Sequence, residues 1–149
     1  MSLSVFPLSH EHRDAWQPLA EGYKAFYRTV TSAAEYDQAW AKLMARSEVF
    51  GLGASVNGRL VGIAHYFFHT STWAHKVCYL QDLYTSSEAR GTGIARALIE
   101  ELASLAGEAG ASRYYWLTQE NNAVARVLYE KVAKYNGFIR YDFPLRSDA

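Results

Sequence analysis

Between Val77 and Ala109 the chain passes from an apolar, β-rich run, Val77 to Thr85, through Arg90-Gly91-Thr92-Gly93-Ile94-Ala95 into an amphipathic helical pattern, Gly93 to Ala109. A second β-rich run, Arg113 to Thr118, follows Gly110. A strand, helix, strand unit of this length places its two strands in parallel, joined by a right-handed crossover, and ligands gather at the carboxyl ends of such strands. Gly91 and Gly93 carry no Cβ, so the chain can turn tightly and aim successive N–H groups outward at a helix N-terminus that carries partial positive charge. The run predicts an anion site. It is neither of the commonest phosphate loops: the Gly-Lys-Ser/Thr ending is missing, and Arg96 stands where a dinucleotide fingerprint needs its third glycine.

The rest of the chain supplies a sheet and its cover. Trp16, Leu19, Ala20, Tyr23, Phe26 and Tyr27 recur at helical intervals, and Tyr36, Ala39, Trp40, Leu43 and Met44 repeat the pattern after Thr31-Ser32. Val49 to Val56 and Leu60 to Phe68 are β-rich runs divided by Asn57-Gly58, a strong hairpin signal. Leu3 to Phe6 reads as a first strand, Asn122 to Lys134 as a helix and Phe138 to Pro144 as a last strand. The predicted order is β-α-α-β-β-β-α-β-α-β. The fold class is α/β, with a mixed central sheet of about six or seven strands flanked by helices, in one domain over residues 1–149.

At 149 residues and 50% apolar, such a chain can bury a sizeable core. Fifteen basic residues balance fifteen acidic ones, so the overall charge points to no nucleic-acid partner. Cys78 is the only cysteine. It excludes an intrachain disulfide and reads as a small core residue. The histidines His10, His12, His65, His69 and His75 show no metal-ligand spacing, and no metal is expected. The N-terminus lacks the basic and apolar regions of a leader, and no run reaches membrane-spanning length; a cytoplasmic protein is expected.

Read as Arg/Gln-x-x-Gly-x-Gly/Ala, residues Arg90, Gly93 and Ala95 resemble the pyrophosphate loop of the GNAT acetyltransferase superfamily. Asn122-Ala123-Val124-Ala125-Arg126-Val127-Leu128-Tyr129, followed by Gly137-Phe138, is similar to that superfamily's downstream Asn-x-x-Ala-x-x-Leu/Phe-Tyr helix and Gly-Phe turn. Seven residues separate Tyr129 from Gly137, more than the usual spacing, which implies a longer helix and resembles a branch that includes histone- and polyamine-acetylating enzymes. Tyr79-Leu80-Gln81-Asp82 likewise resembles the Tyr-Leu-Glu-Asp strand of diamine and polyamine acetyltransferases.

The resemblance implies the GNAT fold and transfer of an acetyl group from acetyl-CoA to an amine. It places the pyrophosphate on Gly91, Thr92, Gly93, Ile94, Ala95 and Arg96 with added charge from Arg90, and the pantetheine arm along Leu83, Tyr84 and Thr85. Asn122 caps its helix and contacts the cofactor arm. Tyr129 is the implied general acid for the departing thiolate, and a phenol of ordinary pKa near 10 remains protonated at neutral pH.

An alkyl amine is neutral for only about 0.04% of the time at pH 7, a deficit of about 4.6 kcal/mol before attack. The glutamate that meets this need in the polyamine enzymes falls here on Gln81, whose amide is no useful base. The candidates left are Asp82, His65, a histidine of the 69–75 loop acting through water, or no dedicated base. Strand alternation puts Asp82 on the face opposite Gln81, and His65, in an apolar run, reads as a hydrogen-bonded core histidine or as a base. Gln81, Trp73 and Tyr27 are expected at the acceptor; Trp73, Tyr23, Tyr27 and Tyr36 can wall its pocket, since aromatic rings attract an ammonium, although their spacing also suits ordinary packing. The expected function is acetylation of a small amine or polyamine in a ternary complex, by a homodimer. The alternatives are a protein-lysine or N-terminal acetyltransferase, and a non-catalytic acyl-CoA-binding regulatory module.

Overall fold

A computed structural model describes residues 2–145. The chain divides into two compact units, Met1–Leu117 and Thr118–Ala149. The first holds β1 (Leu3–Pro7), α1 (Arg13–Phe26), α2 (Ala33–Ala45), β2 (Phe50–Val56), β3 (Arg59–His69), β4 (Val77–Thr85), α3 (Ile94–Glu108) and β5 (Arg113–Trp116). The second holds α4 (Ala123–Val132).

The sheet runs β1-β2-β3-β4-β5, antiparallel up to β4 and parallel between β4 and β5. Asn57 and Gly58, both at positive φ (52° and 83°), make the tight turn between β2 and β3. One face of the sheet takes α3. Gly62 allows the close approach there, because a Cβ on it would lie 2.6 Å from a methyl of Ile94 and 3.2 Å from one of Leu98. The other face takes α1 and α2 over a core of Leu8, Trp16, Leu19, Tyr36, Trp40, Leu43 and Ile63. Ser32 caps α2 by accepting the Glu35 N–H while Glu35 accepts the Ser32 N–H, a reciprocal capping box.

Two expectations are corrected. The sheet has five strands among the described residues, because Phe138 to Pro144 takes no strand conformation. Its apolar residues, Phe138, Ile139, Tyr141 and Phe143, are exposed; composition favoured a strand, but a strand also needs a ladder partner. The extra residues after Tyr129 do not lengthen the helix either. α4 ends at Val132 and Ala133 turns to extended backbone, so the additional length lies in the irregular segment before Gly137, which sits at φ 85°.

Candidate active site

β4 is longer than the strand beside it. The parallel pairing runs from Val77 opposite Arg113 to Leu80 opposite Trp116 and stops, so among the described residues Gln81 to Thr85 continue with no strand partner on that edge. Unpaired N–H and C=O groups along a strand edge are a template for another extended chain.

A bulge sits at the same point. Tyr66 pairs with Leu80 and His65 with Asp82, which leaves Gln81 as the extra residue of β4. Strict alternation is therefore interrupted between Leu80 and Asp82. Leu80 follows Tyr66 onto the α3 face of the sheet, and Asp82 follows His65 onto the α1 face. Gln81 itself is exposed at the place where β4 and β5 part.

On the α1 face Asp82 is enclosed by donors and rings. His65 Nδ1–H donates to Asp82 Oδ2 at 2.9 Å, the Tyr23 hydroxyl also hydrogen-bonds Asp82, and Tyr27 lies close enough to feel its charge. Burial works to raise the Asp82 pKa, but the hydrogen bonds from His65 and Tyr23 and the charge of Lys24 act against it, leaving the carboxyl below its ordinary range. Tyr23 and Tyr27 are pushed up, first by burial and then by the carboxylate, so both phenols keep their protons. The two rings are 4.9 Å apart. Tyr79 lies near Tyr23, its ring tilted against that of Tyr115 at 4.9 Å. The result is an ionised carboxylate bordered by tyrosines.

α1 is seated by Gly22, where a Cβ would fall 2.4 Å from the Tyr84 hydroxyl. Tyr84 in turn carries the Arg90 guanidinium over its ring at 5.4 Å, and Arg90 Nε–H donates to the Thr85 carbonyl. The glycine loop thus begins beside the end of β4. Gly91 (φ 78°) and Gly93 (φ 87°) both adopt the left-handed conformation, Gly93 caps α3, and no acidic residue occupies the first turn of that helix. A Cβ on either glycine would meet open space, so the backbone here is accessible to a ligand. Thr92 Oγ1 donates to the Ala89 carbonyl and tightens the turn. Just before it, the hydroxyl oxygens of Thr85 and Ser86 are buried without a hydrogen-bond partner. A free strand edge, two orphan hydroxyls and an N–H-rich loop at a helix start fit an acyl-CoA, which carries amides along its arm and a pyrophosphate beyond them.

Of the other expected residues, Ile94 is buried in the α3 packing, while Arg96 pairs with Glu100 at 3.1 Å on the surface. Trp73 does not join the tyrosines. It is 94% exposed, in the loop that enters β4 at the end opposite Thr85. Cys78 is buried, and burial pushes its thiol up to about 11. In the second unit Asn122 caps α4, its side chain accepting the Ala125 N–H at 3.4 Å, and Tyr129 lies one turn before the helix ends.

The sequence reading of His65 left two roles open; here it is a hydrogen-bonded residue with both ring nitrogens engaged, Nε2 accepting from Trp16 Nε1–H at 3.0 Å. Helical spacing marks Trp16 only as part of a packed face, while Tyr23 is also among the rings expected to wall the acceptor pocket. Their contacts with β3 and β4 arise between residues far apart in the chain, which no local pattern reports.

Residues 13–135 match the acetyltransferase (GNAT) family. The chain belongs to that family. It is 35% identical over 133 residues to the D-amino-acid N-acetyltransferase of Saccharomyces cerevisiae, covering 87% of this chain and 83% of the yeast protein. It is 24% identical over 131 residues to the thialysine N-epsilon-acetyltransferase of Caenorhabditis elegans, covering 88% and 82%. Among solved structures, a probable acetyltransferase superposes with a TM-score of 0.84 at 26% identity over 96% of this chain and 98% of that one. An aminoglycoside N-acetyltransferase in complex with CoA shares the fold, with a TM-score of 0.86 at 11% identity over 97% and 96%. This GNAT protein is an acetyl-CoA-dependent N-acetyltransferase. Among the described residues, no helix is long and apolar enough to cross a membrane.

Proposed function

We propose that this GNAT enzyme acetylates the primary amine of a small molecule of amino-acid size, by direct transfer in a ternary complex. The observation that carries the reading is the ionised Asp82 carboxylate bordered by Tyr23 and Tyr27 beside the free edge of β4. A carboxylate with aromatic neighbours is a receptor for an ammonium group. The yeast and nematode relatives, named for D-amino acids and thialysine, support an amino-acid acceptor over a longer polyamine.

Acetyl-CoA, when bound, supplies the acetyl group as a thioester. The backbone of Gly91, Thr92, Gly93, Ile94, Ala95 and Arg96 would hold its pyrophosphate with Arg90 adding charge, and Leu83, Tyr84 and Thr85 would pair with its arm; Asn122 adds a contact. Asp82 receives the acceptor's ammonium and fixes the nitrogen near the end of β4. A carboxyl held below the ordinary range is a poor base, so Asp82 binds more than it deprotonates, and the amine's proton leaves through water. Gln81, at the mouth where the strands part, offers the acceptor a neutral hydrogen-bonding group. Tyr129 Oη then gives its proton to the departing sulfur. The enzyme works in the cytoplasm as a homodimer; the exposed apolar residues Phe138, Ile139, Tyr141 and Phe143 suit a face covered by a second copy. A light-scattering mass of one chain would refute the dimer.

The test is to incubate the purified protein with acetyl-CoA and D- and L-amino acids, polyamines, aminoglycosides or lysine peptides, following free thiol. Turnover is expected with amino-acid amines. Turnover on peptides alone would replace the small acceptor with a protein one, and tight acetyl-CoA binding without any turnover would favour the silent module that Gln81 suggests.

A further inference from the structure

Trp16 is 1% exposed, wedged at the start of α1 against Trp40 at 5.1 Å and Tyr36 at 6.3 Å. Its indole N–H can only donate, and the atom it reaches is His65 Nε2 at 3.0 Å. Nε2 must therefore present its lone pair. The ring's hydrogen then belongs on Nδ1, where Asp82 Oδ2 accepts it at 2.9 Å. A second proton on Nε2 would set two N–H groups against each other at a place where Trp16 is packed too closely to turn away.

We propose that Trp16 holds His65 in its neutral Nδ1–H form, so that Asp82 is oriented by a hydrogen bond without being neutralised by an adjoining imidazolium, and that its charge selects acceptors bearing an ammonium. The inference rests on the reading of Asp82 as the acceptor's receptor. A histidine beside an aspartate with its other nitrogen in water would gain a proton as pH falls and neutralise the carboxylate. With the indole in place the pair keeps one net negative charge across that range. The titratable and charged groups that face it are Tyr23, Tyr27 and Lys24 from α1, with Tyr79 of β4 near Tyr23. The tyrosines hold their protons, which leaves the selection to Asp82. Trp16 and His65 are positioning residues, since neither reaches the acceptor itself.

The test has two parts. In the wild-type protein labelled with 15N-histidine, the His65 signals, assigned by their loss in His65→Gln, should show one protonated and one bare nitrogen from pH 5 to pH 8, without titration. An imidazolium forming in that range would overturn the proposal. In Trp16→Phe, which keeps a ring in the core but removes the donor, His65 should titrate and the KM for a cationic amine should rise about tenfold at the acid end, recovering at high pH, with the KM for acetyl-CoA unchanged. A KM increase equal at all pH values would mark Trp16 as merely structural and also overturn it. His65→Gln supplies rescue: its amide can donate to Asp82 and accept from Trp16, so the acceptor KM should stay within about threefold. A larger, pH-independent increase would contradict the proposal. If no amine in the panel turns over, the acceptor reading fails while the 15N measurement still reports on His65.

Discussion

Replacing Asp82 with asparagine removes one charge and little volume, which makes it the most informative single change. The carboxylate accepts His65 Nδ1–H at 2.9 Å and the Tyr23 hydroxyl, and its side chain is 25% exposed. At about 4 Å and an effective dielectric near 20, a carboxylate attracts an ammonium by about 4 kcal/mol, and partial exposure reduces this. The value of a hydrogen bond to a charged group, about 1.5–3 kcal/mol, gives a second bound. Taking about 2–3 kcal/mol, Asp82→Asn should lower kcat/KM for a cationic amine by about 30- to 150-fold. The KM for acetyl-CoA should hold within about twofold. The assay is steady-state thiol release, varying amine and acetyl-CoA in turn, with thermal unfolding as a control for fold. An amine of low pKa, neutral at the assay pH, should lose far less. The change also carries a stability signature. A carboxyl whose folded pKa is lowered contributes stability that is present above its unfolded value, near 3.9, and lost as pH falls through its folded value, so wild type should lose stability below about pH 4 more steeply than the variant. Equal kcat/KM in the two proteins for charged and neutral amines alike would show that Asp82 does not receive the ammonium.

Further changes probe the remaining parts. Tyr129→Phe should lower kcat by about 100-fold or more with little change in either KM, and full turnover would remove the tyrosine from the mechanism. Gly93→Ala forces a side chain into a left-handed position at the cap of α3, so the KM for acetyl-CoA should rise about tenfold, and an unchanged value would place the pyrophosphate elsewhere. Gly62→Ala drives a methyl against Ile94 and Leu98 and should cost about 1–3 kcal/mol in denaturant unfolding; a neutral result would mean that α3 can shift freely on the sheet. Cys78, buried and pushed up to about 11, should resist alkylation at pH 8 until the protein unfolds, and rapid native labelling would contradict the packing of β4.

What the sequence made legible was local. The Asn57-Gly58 hairpin, the strand over Val77–Thr85, the glycine-led helix and the cap at Asn122 each follow from residue types a few positions apart, and each is present. Asp82, a candidate base by sequence, and Tyr27, a candidate acceptor residue, lie in one region of the structure. What was not legible depends on pairing across the sheet. The bulge at Gln81 is a mismatch in count between β3 and β4, and it alone decides which face Asp82 takes. The Trp16–His65 bond joins residues whose own segments suggest only a core helix and a core strand. Trp73 looked like a pocket wall by its chemistry, yet its loop leads it into solvent. The run Phe138 to Pro144 has strand composition, and composition cannot supply the neighbour a strand requires.

The most direct test of the central claim is a crystal structure of the enzyme with coenzyme A and an amine acceptor, or with a bisubstrate analogue joining the two. The pyrophosphate is expected on the backbone of Gly91 to Arg96, the arm along Leu83 to Thr85, and the acceptor nitrogen within hydrogen-bonding distance of Asp82 beside Tyr23 and Tyr27. An acceptor nitrogen bound away from Asp82, with the carboxylate still occupied only by His65 and Tyr23, would contradict it.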